Sequence, residues 1–235
     1  MSNKLTSICV CQYAGIDAIS GLPLAAGLLV ATARLDKSLK DLDFSIQVDR
    51  VNVKQAVRSI GQPDVVGLSV YPWNSAYTFE VARAAKAANP NGLIVAGGPA
   101  VPRRQTSARA LLEANPCIDV LVFGEGELAF CELLRTLRAG SDLDEVPSIA
   151  FREADGSCRF TSAPGRVLDF NKTGSPYLDG TFDSLIEQYP QRFAMALIET
   201  NRGCPFSCTF CDWSLTKKVV ELPFERVAAE IDWAT

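Results

Sequence analysis

From residue 5 to about residue 140, short unbroken apolar runs alternate with stretches in which apolar residues recur at helical spacing. Leu5–Val10 opens the series as a strand, and Leu22–Leu35 follows as a helix. Phe44–Val48 reads as a second, weaker strand before a helix over Val53–Ile60. Asp64–Val70 is a third strand. In the stretch after it Val81, Ala84, Ala85 and Ala88 share one face of a helix spanning Ala76–Ala88. Leu93–Ala96, ended by Gly97-Gly98-Pro99, gives a fourth strand, and a helix around Ser107–Ala114 leads to a fifth at Ile118–Phe123. Gly124-Glu125-Gly126 turns that strand into a helix over Glu127–Arg138.

Strands that are apolar along their whole length are buried on both faces, so the series predicts an α/β fold with a parallel sheet covered by helices on each side. Five such units predict a doubly wound, flavodoxin-like strand order, in which ligands sit outside the carboxyl ends of the strands. The loops there are 11–21, 70–76, 97–104 and 123–127. After residue 140 the pattern changes. Pro147–Phe151 and Ser157–Phe160 flank Asp155-Gly156 as a hairpin, and Pro164-Gly165, Gly174-Ser175-Pro176 and Gly180 mark a linker. Met195–Glu199 is a fresh strand and Phe224–Trp233 a helix. The expected division is a first domain over 1–140, hairpin and linker over 141–190, and the start of a second domain over 191–235.

Charge and composition narrow the partners. The 235 residues carry a net charge of −4 and are 48% hydrophobic, enough to bury a normal core without cross-links. Lys and Arg are scattered; the pairs Arg103-Arg104 and Lys217-Lys218 read as solvated surface, so no nucleic-acid partner is expected. The apolar stretch Gly21–Ala33 is too short to span a bilayer and the N-terminus shows no signal-peptide pattern, so no membrane association is expected. Eight cysteines in such a chain point to reduced thiols and a cytoplasmic location. There is no histidine, which removes the commonest metal ligand and the usual general base.

The chemistry concentrates in Glu199-Thr200-Asn201-Arg202-Gly203-Cys204-Pro205-Phe206-Ser207-Cys208-Thr209-Phe210-Cys211-Asp212-Trp213. Cys204, Cys208 and Cys211 form C-x3-C-x2-C, three thiolates on one loop, the standard ligand type of an iron–sulfur cluster. Three ligands leave one iron open. Zinc is the alternative, and would need a fourth ligand from another Cys, Asp or Glu. Cys9 and Cys11 face the same side of a strand in the other domain, while Cys117, Cys131 and Cys158 are isolated and read as buried, inert thiols.

At these residues the chain resembles the radical S-adenosylmethionine (SAM) superfamily. The resemblance implies a [4Fe–4S] cluster on Cys204, Cys208 and Cys211, with SAM on the fourth iron. Reductive cleavage of SAM then gives a 5′-deoxyadenosyl radical. Phe210 would shield the cluster, touch the adenine, or pack the loop onto a partial TIM barrel. Five βα units ahead of such a loop resemble the cobalamin-binding subgroup, whose N-terminal domain is Rossmann-like. Gly67–Asn74, Ala96–Pro99, Phe123–Glu127 and Ser175–Gly180 carry that likeness.

The resemblance implies cobalamin contacts from Ser69, Tyr71, Trp73, Gly97, Gly98, Pro99, Gly124, Glu125 and Gly126. For the residues themselves two roles stand open: each glycine leaves room for a ligand or makes a tight turn, and Tyr71 and Trp73 wall the corrin or cap the core. Asp17-Ala18-Ile19-Ser20-Gly21 departs from the D-x-H-x-x-G pattern of many cobalamin domains, so any cobalamin is expected without His ligation. A small-molecule substrate and an electron donor such as flavodoxin or ferredoxin are the implied partners, and methyl transfer or skeleton rearrangement the implied outcome. The glycine-rich SAM strand would lie beyond Thr235, so the chain is expected to be the inactive N-terminal part of an enzyme. A non-catalytic iron–sulfur or zinc module with a degenerate cobalamin-like domain is the competing expectation.

Overall fold

The computed structural model describes residues 5–14, 21–153, 155–162, 169–206, 208–211 and 218–235. Asp17 to Ser20, Pro164-Gly165, Ser207, Asp212-Trp213 and Lys217, all named above, lie outside the described residues. The five expected strands are present within two residues of their predicted bounds: β1 (Ser7–Cys11), β2 (Asp43–Gln47), β3 (Val65–Ser69), β4 (Leu93–Gly97) and β5 (Val120–Val122). Between and after them run α1 (Leu24–Leu35), α2 (Val53–Ile60), α3 (Ser75–Ala88), α4 (Gln105–Ala114) and α5 (Gly126–Ala139). Local chemistry sets several ends. The Asn52 side chain accepts from the Gln55 N–H at 3.0 Å to cap α2, and Gly140 closes α5 in the left-handed conformation.

The five strands pair in the parallel order β2-β1-β3-β4-β5 expected of a doubly wound sheet. Successive side chains of β1 part to opposite faces: Ile8 and Val10 join the core beneath α1 and α5, while Cys9 and Cys11 join the one beneath α2, α3 and α4. The Asp64 carboxylate pins the start of β1 by accepting the N–H groups of Thr6 and Ser7 at 2.7 and 3.0 Å. The predicted hairpin forms as β6 (Ile149–Arg152) and β7 (Cys158–Phe160). It also continues the sheet, with β6 antiparallel to β5, so the seven-stranded sheet takes in residues beyond 140.

The Pro/Gly-rich passage is a packed joint. It contains α6 (Thr181–Gln188), which the turn residues around it concealed. Gly174 lies so close to α1 that a Cβ there would sit 2.3 Å from the backbone carbon and oxygen of Ala31. Tyr177 is fully buried between Phe182 and Trp233, with ring centroids 4.8 and 5.1 Å away. Trp233 belongs to α7 (Phe224–Ala234), and Arg226 of the same helix donates to the carbonyls of Thr173 and Gly174 at 2.9 and 2.8 Å.

Met195–Glu199 does not form the predicted strand. It makes one parallel bridge, Met195 with Gly21, through a 3.0 Å bond from the Leu22 N–H to the Met195 carbonyl. A strand needs a neighbour along its length, and Met195 and Leu197 remain 44% and 49% exposed. Among the described residues after 190, strand pairing is otherwise limited to two-residue β8 (Asn201–Arg202), antiparallel to β9 (Val220–Glu221). Among the described residues no helix is long and apolar enough to cross a membrane.

Candidate functional site at the carboxyl edge and the cysteine loop

The exits of β3 and β4 are stitched together. The Val70 N–H donates to the Gly97 carbonyl at 2.7 Å, and the Ala100 N–H to the Val70 carbonyl at 3.0 Å. Gly98 has φ +105°, and a Cβ there would lie 2.8 Å from the Val70 carbonyl oxygen. The chain's own crossing therefore requires this glycine, and room for a ligand is not needed to explain it. Gly97 differs. Among the described residues a Cβ would meet only Val122 at 3.6 Å, an ordinary contact, so packing among them gives no reason for the missing side chain.

Buried Asn74 braces the loop after β3: its Oδ1 accepts from the Tyr71 N–H at 2.8 Å, and its Nδ2 donates to the carbonyls of Tyr13 and Ser69 at 2.9 and 3.2 Å. The brace presents Tyr71 and Trp73 as a stacked pair, centroids 4.7 Å apart and planes 18° apart. Trp73 is 59% exposed, so it faces outward rather than capping the core. Burial, and then the charge of Glu199, push the Tyr71 hydroxyl above its ordinary pKa. Ser69 is buried at the end of β3, Pro99 is exposed after β4, and Gly124, Glu125 and Gly126 lead from β5 into α5. All nine expected contact residues thus share the carboxyl edge of the sheet.

The cysteine loop is anchored at its base and open at its tip. Cys204 is half-buried, while Cys208 and Cys211 are exposed, and none of the three is in a disulfide. The Cys211 N–H donates to the Cys208 carbonyl at 3.0 Å. Phe206 and Phe210 are 70% and 90% exposed. Among the described residues no three Cys, Asp or Glu groups are gathered closely enough to hold a metal ion. The three cysteines are neighbours in sequence but not a formed centre; bringing thiolates together is opposed by their charge until a metal offsets it. The remaining cysteines lie within or beside the sheet. Cys9 and Cys11 are fully buried with sulfurs 3.9 Å apart, and burial pushes the Cys131 thiol up to about 12.

At the base of the loop Arg202 is part-buried and bridges two carboxylates, a role that the motif alone did not indicate. Its Nη2 lies 2.7 Å from Glu127 Oε1 and 2.6 Å from Glu199 Oε2, and its guanidinium sits 5.4 Å over the Phe170 ring. Desolvation disfavours the charged guanidinium, but the two carboxylates outweigh it and raise its pKa.

Residues 20–134 match the family model described as the B12 binding domain. Just under half of the chain thus matches a B12-binding domain. It is 40% identical over 232 residues to the 2-(S-pantetheinyl)-carbapenam-3-carboxylate methyltransferase of Streptantibioticus cattleyicolor, covering 94% of this chain and 33% of that protein. It is also 40% identical over 231 residues to the cobalamin-dependent radical SAM methyltransferase TokK of Streptomyces tokunonensis, with the same coverage. The chain therefore spans about a third of the length of these relatives. In fold it is similar to the cobalamin-dependent SAM radical enzyme OxsB, with a TM-score of 0.75 at 23% identity over 98% of this chain and 31% of that one. It is likewise similar to the radical SAM methyltransferase TsrM of Kitasatospora setae, with a TM-score of 0.69 at 18% identity over 97% of this chain and 45% of that one.

The residues present fit both groups that these relatives suggest. The flat, exposed Trp73 beside the bare end of β4 at Gly97 suits a broad planar ligand at the edge of the sheet. Three cysteines on one loop, with no histidine in the chain, form a donor set suited to iron–sulfur ligation.

Proposed function

We propose that this chain is the N-terminal part of a cobalamin-binding radical SAM methyltransferase. The observation that carries the reading is continuity: the B12-binding domain and C-x3-C-x2-C lie on one chain that aligns over 94% of its length with two methyltransferases. Bound to this protein, cobalamin and a SAM-ligated [4Fe–4S] cluster would supply methyl transfer and reductive SAM cleavage. Cys204, Cys208 and Cys211 would hold the cluster. Tyr71 and Trp73, held in place by Asn74, offer a planar wall at the sheet edge, and Gly97 keeps the end of β4 free of a side chain. A small-molecule substrate would be methylated, with electrons from a flavodoxin or ferredoxin.

Corrin retention tests the first domain. The 235-residue chain, incubated anaerobically with hydroxocobalamin and desalted, is expected to keep the corrin absorbance, Trp73→Ala to keep less, and Gly97→Leu least. A wild-type chain that retains no corrin from a saturating solution overturns the cobalamin assignment. Zinc uptake in place of iron during reconstitution would identify a metal-binding module without radical chemistry.

A further inference from the structure

Glu127 and Arg202 belong to different parts of the molecule. Glu127 is in the first turn of α5, directly after the turn that leaves β5 at the carboxyl edge of the sheet, and its side chain is 7% exposed. Arg202 is two residues before Cys204, and its side chain is 15% exposed. An exposed ion pair would fix little, because solvent screens it and side-chain entropy opposes it. This one is part-buried. Arg202 spans two carboxylates, Glu127 at 2.7 Å and Glu199 at 2.6 Å, while Phe170 closes one face of the guanidinium at 5.4 Å. Leaving the buried Glu127 carboxylate unpaired is costly, so its bond to Arg202 favours one arrangement of the group. The tip residues of the cysteine loop, Phe206, Cys208 and Phe210, are exposed.

We propose that Arg202 is a positioning residue: bridging Glu127 and Glu199, it sets the cysteine loop in register with the carboxyl edge of the sheet, and so sets the cluster relative to the cobalamin. The inference rests on the cofactor assignment above for its second half. Its first half, that Glu127 orders the loop, concerns this chain's residues alone. The guanidinium reaches both carboxylates through Nη2, donates to Glu199 a second time through Nε at 3.0 Å and lies over Phe170, a set that a single ammonium does not reproduce.

The test uses Glu127→Gln and Arg202→Lys in the 235-residue chain. Without cofactors, amides of residues 199–206 are expected to exchange at least about tenfold faster in both variants, with β1, β3 and β4 as protected as in the wild type. Equal exchange across 199–206 overturns the clamp. After anaerobic reconstitution with iron, sulfide and cobalamin, the reduced cluster and cob(II)alamin are both paramagnetic. The wild type is expected to show their mutual broadening by electron paramagnetic resonance. Glu127→Gln is expected to show an altered interaction at unchanged iron and corrin content, which a loss of stability alone would not produce. An unaltered interaction at matched content overturns the positioning role. A wild-type chain that takes up no iron overturns the cofactor assignment and this role with it, while the exchange result still judges the clamp.

Discussion

Replacing Gly174 by alanine should loosen the joint that carries the cysteine loop while sparing the sheet. The new Cβ would sit 2.3 Å from the carbonyl carbon and oxygen of Ala31 and 2.8 Å from the Thr32 nitrogen, where ordinary contact begins at 3.4 Å. All three opposing atoms are helix backbone, so no side chain can swing away, and the passage must lift off α1 by roughly an ångström. Lifting breaks the 3.1 Å bond from the Gly174 N–H to Thr32 Oγ1 and the 2.8 Å bond that its carbonyl accepts from Arg226. Overpacking costs about 1–3 kcal/mol and a lost charged hydrogen bond about 1.5–3, but one displacement relieves the first by incurring the second. We therefore expect about 3 kcal/mol, a little over a hundredfold in the opening equilibrium. Hydrogen exchange reads this directly: amides in α6 and α7 should exchange about a hundredfold faster, with β1, β3 and β4 unchanged. Exchange of α6 and α7 within twofold of wild type would refute the steric account of the joint.

Two further perturbations probe the sheet. Asn74→Ala removes three buried hydrogen bonds and strands the Tyr71 N–H, so about 2–4 kcal/mol of stability should be lost in urea unfolding, together with corrin retention. Retained corrin in a folded Asn74→Ala chain would show that the brace does not matter for the ligand. Burial alone would raise the Asp64 pKa, but the N–H and hydroxyl groups of Thr6 and Ser7 hold it below the ordinary carboxylate value. A depressed folded pKa gives stability that is full above the unfolded value of about 3.9 and lost as pH falls through the folded one. The wild-type urea midpoint should therefore fall more steeply below about pH 4 than that of Asp64→Asn. Parallel profiles would remove Asp64 from the account.

What the sequence revealed and what it hid follow from the range of the interactions involved. Runs such as Val65–Ser69 are apolar because both faces are buried, so each βα unit could be seen in its own residues. Met195–Glu199 has the same local look, yet a strand exists only where another strand accepts its hydrogen bonds, and among the described residues only Gly21 offers such a bridge. The hairpin was legible from Asp155-Gly156, but its docking on β5 depends on a partner edge far away in the chain. In α6, Thr181–Gln188 lay among turn residues that mask a short helix. The three cysteines stood out through spacing. Arg202 stood beside them without an evident task, because its partner Glu127 is distant in sequence and only the fold brings the two together. Gly98 shows the opposite case: a glycine placed among ligand contacts by resemblance has a sufficient reason in the Val70 carbonyl that it faces.

The claim on which the rest depends is that Cys204, Cys208 and Cys211 together hold a cluster. Anaerobic reconstitution of the 235-residue chain, followed by iron and acid-labile sulfide analysis, measures it. The wild type is predicted to bind iron and sulfide in equal amounts, about four of each per chain, with broad absorbance near ~400 nm. Cys204→Ala is predicted to lose most of both while its B12-binding domain still retains corrin. Unchanged iron and sulfide in Cys204→Ala, or a wild-type chain that binds zinc and no iron, would contradict it.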